Sequence, residues 1–144
     1  DTTIIVNTNY VKRFFLLNAN VTHNFVKCPL LDSQGKYFYE SLAFDEQTSD
    51  SGKVQLLKLR TIKVVKAKKD DYLANFSGNY SDKLDNKIDF YLVFPDNTFA
   101  KVKLNKKSFM DALEKYKIKA AVYLKQARGF NEQIAADLIR SVNQ

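Results

Sequence analysis

The spacing of apolar residues changes once along this chain, near residue 105, and this change constrains the fold more than any other feature. Before it, apolar and polar residues alternate at a step of two, which is typical of β-strands with one buried face. After it, apolar residues recur at steps of three and four, the spacing of a helix that buries one side. Strands followed by helices, rather than alternating with them, predict an α+β fold.

The apolar segments predict an antiparallel, curved β-sheet of six to eight strands followed by two or three C-terminal helices. Residues 1–144 are expected to form a single domain, mainly β over 1–104 and helical over 105–144. Segments 45–52 and 75–87 are polar and predict exposed loops. The clearest hairpin joins 88–94 to 98–104 through the turn residues 95–97. The candidate strands are 4–6, 10–17, 25–28, 37–44, 54–59, 62–67, 88–94 and 98–104.

Two helices are predicted from their end signals as well as their spacing. Asn105 is a suitable N-cap for the first, and Gly129 a suitable residue just after its end. Asn131 can cap a second helix. The spacing leaves open whether residues 116–118 interrupt the first helix. The apolar stripe of the first helix is Phe109, Leu113, Tyr116, Ala120, Tyr123, Leu124 and Ala127, and that of the second is Ile134, Leu138, Ile139 and Val142.

Composition restricts the class of protein. Apolar residues make up 45% of the chain, enough for a folded core. No apolar run approaches the roughly 20 residues that span a bilayer. The single cysteine, Cys28, excludes an intrachain disulfide bond. Because the sequence begins at Asp1, we expect a processed product whose targeting segment has been removed.

The sequence predicts no catalytic residue, metal ligand or cofactor. His23 and Cys28 are the only residues of their types, too few for a zinc site or a catalytic Cys-His set, and we expect both to be structural. Four scattered glycines form neither a phosphate-binding loop nor a nucleophile elbow. The carboxylates fall mostly in the polar segments 45–52 and 75–87, where solvated surface is the ordinary interpretation.

The positive charge lies in two blocks. Residues 53–69 contain seven Lys and Arg and no carboxylate, and residues 100–128 contain nine against two carboxylates. If the strands of both blocks lie close together, their outward cations form one positive surface able to attract an anionic partner. Such cations also serve solubility and discourage edge pairing of strands. The candidate binding residues are Lys58, Arg60, Lys63, Lys66, Lys101, Lys103, Lys106 and Lys107.

Five segments carry a resemblance to a known class: 52–56 (Gly-Lys-Val-Gln-Leu), 90–94, 106–109, 136–139 and 142–143. They resemble exported Bacteroidetes proteins of uncharacterised role, in which a β-rich segment ends in a tyrosine-rich strand, a lysine-rich strand and a closing helix. The resemblance implies a cell-envelope location, periplasmic or extracellular, and transfers no functional residue. The residues themselves leave a cytoplasmic location open.

These observations predict a non-enzymatic binding or structural module that contacts another protein or an anionic envelope component through a lysine-rich face. A nucleic-acid-binding domain is one alternative, since tyrosines such as Tyr37, Tyr39 and Tyr91 can stack on bases. The other is a small-ligand carrier or hydrolase with a pocket under the curved sheet. The oligomeric state is not predicted.

Overall fold

The computed structural model describes residues 3, 5–44, 52–67 and 82–144. Within them, six antiparallel strands form one open sheet in the order β1-β2-β3-β4-β5-β6, and three α-helices follow. The predicted α+β fold, with an antiparallel sheet ahead of C-terminal helices, is confirmed. The elements are β1 (Arg13–Asn18), β2 (Val21–Val26), β3 (Tyr39–Ser41), β4 (Gln55–Val65), β5 (Lys83–Val93), β6 (Phe99–Val102), α1 (Lys106–Ala112), α2 (Lys117–Gln126) and α3 (Glu132–Val142).

The register of β4, β5 and β6 assigns alternate residues to the two faces of the sheet. Leu56 lies opposite Leu92, and Phe90 lies opposite Val102. These side chains point toward the helices and join the main core, because residues directly opposite in an antiparallel pair share a face. The intervening residue Leu57 points to the other face and is equally buried.

Two apolar clusters lie on opposite faces of the sheet. The larger fills the space between the sheet and the helices, where Phe109, Leu113 and Ile139 are fully buried. The smaller consists of Tyr39, Leu57 and Leu59, packed against Val26, Cys28, Leu31, Tyr91 and Val93. The middle of the sheet is therefore covered on both sides, whereas its ends extend beyond the two clusters.

The helix starts lie where the sequence predicts them. Asn105 Oδ1 accepts a hydrogen bond from Ser108 N at 2.8 Å, and Asn131 Oδ1 accepts one from Ile134 N at 2.9 Å. The first helical stretch is interrupted by a 3-10 turn over Glu114–Tyr116. The predicted end is wrong, because α2 ends at Gln126 and the left-handed Gly129 (φ +77°) lies in the following connection.

Several strand predictions are wrong in position. The predicted strands 54–59 and 62–67 are one strand, β4, because Arg60 and Thr61 pair with β5 despite interrupting the apolar pattern. Residues 83–87, predicted as loop, belong to β5. In the predicted strand 4–6, Ile5 and Val6 are irregular and exposed, and residue 4 lies outside the described residues. The predicted loop 45–52 lies outside them except for Gly52, which is in a turn.

Asn143 fixes the end of α3 to the start of β4. Its Oδ1 accepts a hydrogen bond from Val54 N at 2.8 Å, and its Nδ2 donates one to Val54 O at 2.9 Å. We expect Asn143→Ala to lower the free energy of unfolding by about 1–3 kcal/mol, since two partly buried backbone groups lose their partner. Urea denaturation measures the change, with Gln144→Ala as the neighbouring control. Equal stabilities of the two variants would contradict this role.

Candidate functional site

Lys58 is not part of an outward basic face. It lies on the helix side of β4, is 8% exposed, and donates a hydrogen bond to Glu132 Oε2 at 2.9 Å, with Glu132 Oε1 at 2.8 Å. Glu40 Oε2 lies 4.0 Å from the same ammonium group. The expectation of an exposed Lys58 is therefore wrong. Alternation along β4 turns this side chain toward α3, where a carboxylate of the first helical turn pairs with it.

A chain of polar side chains continues from Lys58 to the neighbouring strand. Glu40 Oε1 is hydrogen-bonded to His23 Nδ1, so that His23, Glu40, Lys58 and Glu132 connect β2, β3, β4 and α3. Cys28 does not belong to this series of polar side chains and lies beside the smaller cluster. His23 and Cys28 thus have different surroundings, the first bonded to Glu40 and the second packed at the smaller cluster. The polar chain links the sheet to α3, which is a structural role.

A cleft of about 290 Å³ opens beside these polar side chains, where β2 separates from the end of β3. Glu132 and Arg140 of α3 line one side, and Phe44 lines another. Arg140 donates hydrogen bonds to Asp137 and to Leu42 O. The cleft lies between α3 and the helix-facing residues of β2 and β3, next to the main core. The charged side chains that line it already have partners within the chain.

The second basic block is largely engaged within the chain. Lys101 Nζ lies 3.0 Å from Asp89 Oδ1, and Lys87 Nζ lies 3.6 Å from the other oxygen. Although burial opposes ionisation, hydrogen bonds and charges from Lys101 and Lys87 hold the pKa of Asp89 below its ordinary value. Lys106 Nζ donates to Ala127 O. Lys103 and Lys107 are exposed.

The eight predicted residues do not form one surface. Arg60 shares the helix-side face of β4, whereas Lys63 and Lys101 lie on the opposite face. Lys101 of β6 lies opposite Tyr91 of β5, and Tyr91 lies opposite Leu57 of β4. Lys63 is six residues beyond Leu57 along β4. At about 3.3 Å per residue, this separates Lys63 from Lys101 by about 20 Å along the strand. Strand β5, which also carries carboxylates, lies between the two blocks.

The first block instead forms part of a two-stranded extension of the sheet, which we name the basic ribbon: residues 60–66 with residues 83–88. Strand β3 pairs with β4 only at Leu57 and Lys58, and β6 pairs with β5 only from Phe90 onward. In the ribbon, β4 and β5 are therefore each other's only strand neighbours among the described residues. Neither apolar cluster reaches it.

One face of the basic ribbon is apolar and exposed. Ile62, Val64 and Leu84 are 60%, 60% and 69% exposed, and Ile88 is 41% exposed. The register places all four on the same face, because Val64 is opposite Leu84 and the others are separated from these by even steps. A contiguous apolar patch of this kind, surrounded by polar residues, is typical of a surface that binds another molecule.

The cations of the ribbon lie mostly on its other face. Arg60 shares the apolar face, whereas Lys63, Lys83 and Lys87 lie on the opposite face with the carboxylate Asp85, and Lys66 follows the end of β4. Sequence reasoning missed the two β5 lysines because it assigned residues 75–87 to a loop. The sequence did contain a signal for this strand, since Leu84, Asn86 and Ile88 continue the two-residue step of Phe90 and Leu92.

Other kinds of site receive no support from the described residues. None of their His, Cys, Asp and Glu side chains form a group of three or more arranged to hold a metal ion. Among the helices that these residues form, none has the length and hydropathy to cross a bilayer. Compared with known proteins, the chain matches no family, no curated protein and no solved structure.

Proposed function

We propose that this protein is a non-enzymatic binding module of the cell envelope that contacts an acidic, partly apolar protein surface through the basic ribbon. The supporting observation is the exposure of four aliphatic side chains, 41–69% each, on one face of a ribbon that carries Arg60 on the same face and Lys63, Lys83 and Lys87 on the other. The envelope location rests on the resemblance of the C-terminal two thirds to exported proteins.

The chemistry of the ribbon defines the partner. Burying aliphatic surface contributes about 25 cal/mol per Å², so the apolar face requires an apolar counterpart. The positive charge of the ribbon, from Arg60 on this face and lysines on the other, favours an acidic counterpart, since complementary charge accelerates encounter and excludes wrong partners. An acidic protein surface with an apolar centre satisfies both requirements.

Nucleic acid fits this surface less well. Single-stranded nucleic acid is bound through aromatic side chains on which bases stack, whereas the exposed apolar side chains of the ribbon are aliphatic. Tyr39, considered for stacking in the sequence, is buried and packs edge-on against Tyr91 at 6.0 Å. Burial raises the pKa of Tyr39 to about 12. The Tyr39 side chain belongs to the smaller apolar cluster.

A crosslinking experiment tests the proposal and identifies the partner. A photo-crosslinking amino acid at Val64 is expected to capture an acidic protein from envelope extracts, whereas the same group at Val122 of α2, 57% exposed, is not. With the purified partner, Ile62→Ser with Leu84→Ser is expected to weaken binding roughly 10–100-fold, by removing central apolar contacts. Lys63→Glu with Lys87→Glu is expected to slow association and reduce its salt dependence.

The matched control is Ile118→Ser with Val122→Ser, which removes two exposed aliphatic side chains from α2. Anionic phosphatidylglycerol vesicles and a single-stranded oligonucleotide are tested in parallel with the full chain. The proposal is rejected if the ribbon and control variants bind the captured protein equally. It is also rejected if Val64 captures no protein while the ribbon residues govern binding to vesicles or to the oligonucleotide.

A further inference from the structure

The two faces of the basic ribbon differ in their chemistry. The helix-side face carries the exposed aliphatic residues Ile62, Val64, Leu84 and Ile88, and the opposite face carries Lys63, Lys83 and Lys87. A partner that lies on one face alone meets either the aliphatic side chains or these three lysines, but not both sets. A partner that meets both sets has to reach them along an edge of the ribbon.

A strand added to an edge reaches both faces at once. Successive side chains of a strand point to opposite faces of the sheet, so alternate residues of an added strand lie above and below it. Peptides bind to other proteins in this way, with backbone hydrogen bonds for affinity and alternate side chains for specificity. An aliphatic face backed by a cationic face therefore suits a strand that alternates apolar and acidic residues.

The hydrogen bonds of the sheet show which backbone groups of β4 point to its outer edge. Leu42 N donates to Leu56 O at 3.0 Å, so the carbonyl group of Leu56 points toward the β3 side. The β4–β5 pairing is continuous, and the backbone groups of an antiparallel strand alternate between its two edges. Ile62 and Val64, which are even steps from Leu56, therefore point the same way. Strand β3 pairs only as far as Lys58, and no other strand of the described ranges lies along this edge.

We infer that an acidic, extended peptide segment of the partner pairs antiparallel with β4 along this edge, at Ile62 and Val64. This inference rests on the proposed function, which makes the ribbon the binding surface, and it adds the form of the partner. Apolar residues opposite Ile62 and Val64 pack on the aliphatic face. The residue between them, opposite Lys63, places a carboxylate on the cationic face.

Charge selects both the edge and its occupant. Residues 60–66 of β4 and its end contain three cations and no carboxylate, whereas residues 83–88 of β5 include Asp85 beside two lysines. Cations on an exposed strand discourage pairing with another strand of like charge. A second copy of β4, paired antiparallel around Lys63, would bring two ammonium groups face to face. An acidic segment meets the same cations as ion-pair partners.

A synthetic peptide tests this inference with the full chain. The probe is fluorescein-labelled Gly-Val-Glu-Val-Thr-Glu-Gly, whose five central residues are designed to lie opposite residues 64 to 60 in that order. Fluorescence anisotropy is expected to show saturable binding. N-methylation of both valines is expected to weaken binding about tenfold or more, because it removes the two amide hydrogens that β4 accepts. N-methylation of the glutamate between them, whose N–H points away from β4, is the matched control and is expected to change binding less than about threefold.

A pair of proline variants tests which edge is used. Val64→Pro removes an N–H that points to the outer edge of β4, a position where a strand tolerates proline, and is expected to weaken peptide binding about fivefold or more. Leu84→Pro is the matched control, because Leu84 lies directly opposite Val64 and its N–H points to the other edge of the ribbon. Circular dichroism confirms that both variants are folded.

Three results would overturn the strand addition: no saturable binding at millimolar peptide, equal binding of the two N-methylated peptides, or equal losses from Val64→Pro and Leu84→Pro. The proposed function is judged separately, by the protein that the photo-crosslinker captures. If the captured protein requires Ile62 and Leu84 but binds Val64→Pro and Leu84→Pro equally well, the ribbon remains the binding surface and only the strand addition is wrong.

Discussion

Phe109→Ala is expected to lower the free energy of unfolding by about 3–5 kcal/mol, the range for truncating a fully buried aromatic side chain. Phe109 is 0% exposed and packs edge-on against Phe130, with ring centroids 5.0 Å apart. It is also the buried anchor of α1, which has only seven residues. A helix this short is unstable by itself and depends on its packing against the sheet.

Urea denaturation and thermal melting measure this loss, which corresponds to a fall in Tm on the order of 10 °C for a domain of this size. The matched control is Phe99→Ala in β6, where the same ring is 50% exposed, and a loss of about 1 kcal/mol or less is expected. If the two variants are equally stable, Phe109 is not the centre of the core that its burial indicates.

The order of elements was predictable because it follows from spacing. The alternation through Phe90 and Leu92 predicts a strand with one face against the helices, and both side chains are buried there. The N-caps Asn105 and Asn131 were predictable because a side-chain oxygen that accepts a helical N–H is a local requirement.

Strand limits were less predictable because they depend on partners distant in sequence. The β1–β2 hairpin turns at Ala19 and Asn20, both with positive φ, and an Ala-Asn pair is not a strong turn signal. Arg60 and Thr61 interrupt an apolar pattern, yet remain in β4 because their backbone groups pair with β5.

The candidate site was predictable in composition but not in arrangement. Charge counting identified Arg60, Lys63 and Lys66, which do lie in the basic ribbon. Charge counting could not separate these three residues from Lys58. The difference between them is packing, because α3 covers Lys58 and does not cover the other three. That packing depends on where the helices cross the sheet, which periodicity within one strand does not encode.

Lys58→Ala is expected to cost about 2–4 kcal/mol, because it leaves the carboxylates of Glu40 and Glu132 without their shared cation. Removing one partner of a buried ion pair costs about 3–5 kcal/mol. The Glu132 side chain is 39% exposed and regains water, which reduces the cost here. Because Glu132 lies in the first turn of α3, its carboxylate also keeps a favourable interaction with the helix dipole.

Lys58→Met separates charge from packing, since it keeps most of the aliphatic stem while removing the ammonium group. We expect it to be less stable than the wild type by at least about 1 kcal/mol, and Lys58→Met with Glu132→Gln to recover part of that loss in a double-mutant cycle. Lys63→Met, an exposed change on the same strand, is expected to cost less than about 0.5 kcal/mol. Equal unfolding free energies for Lys58→Met and Lys63→Met would show that Lys58 is not held by these carboxylates.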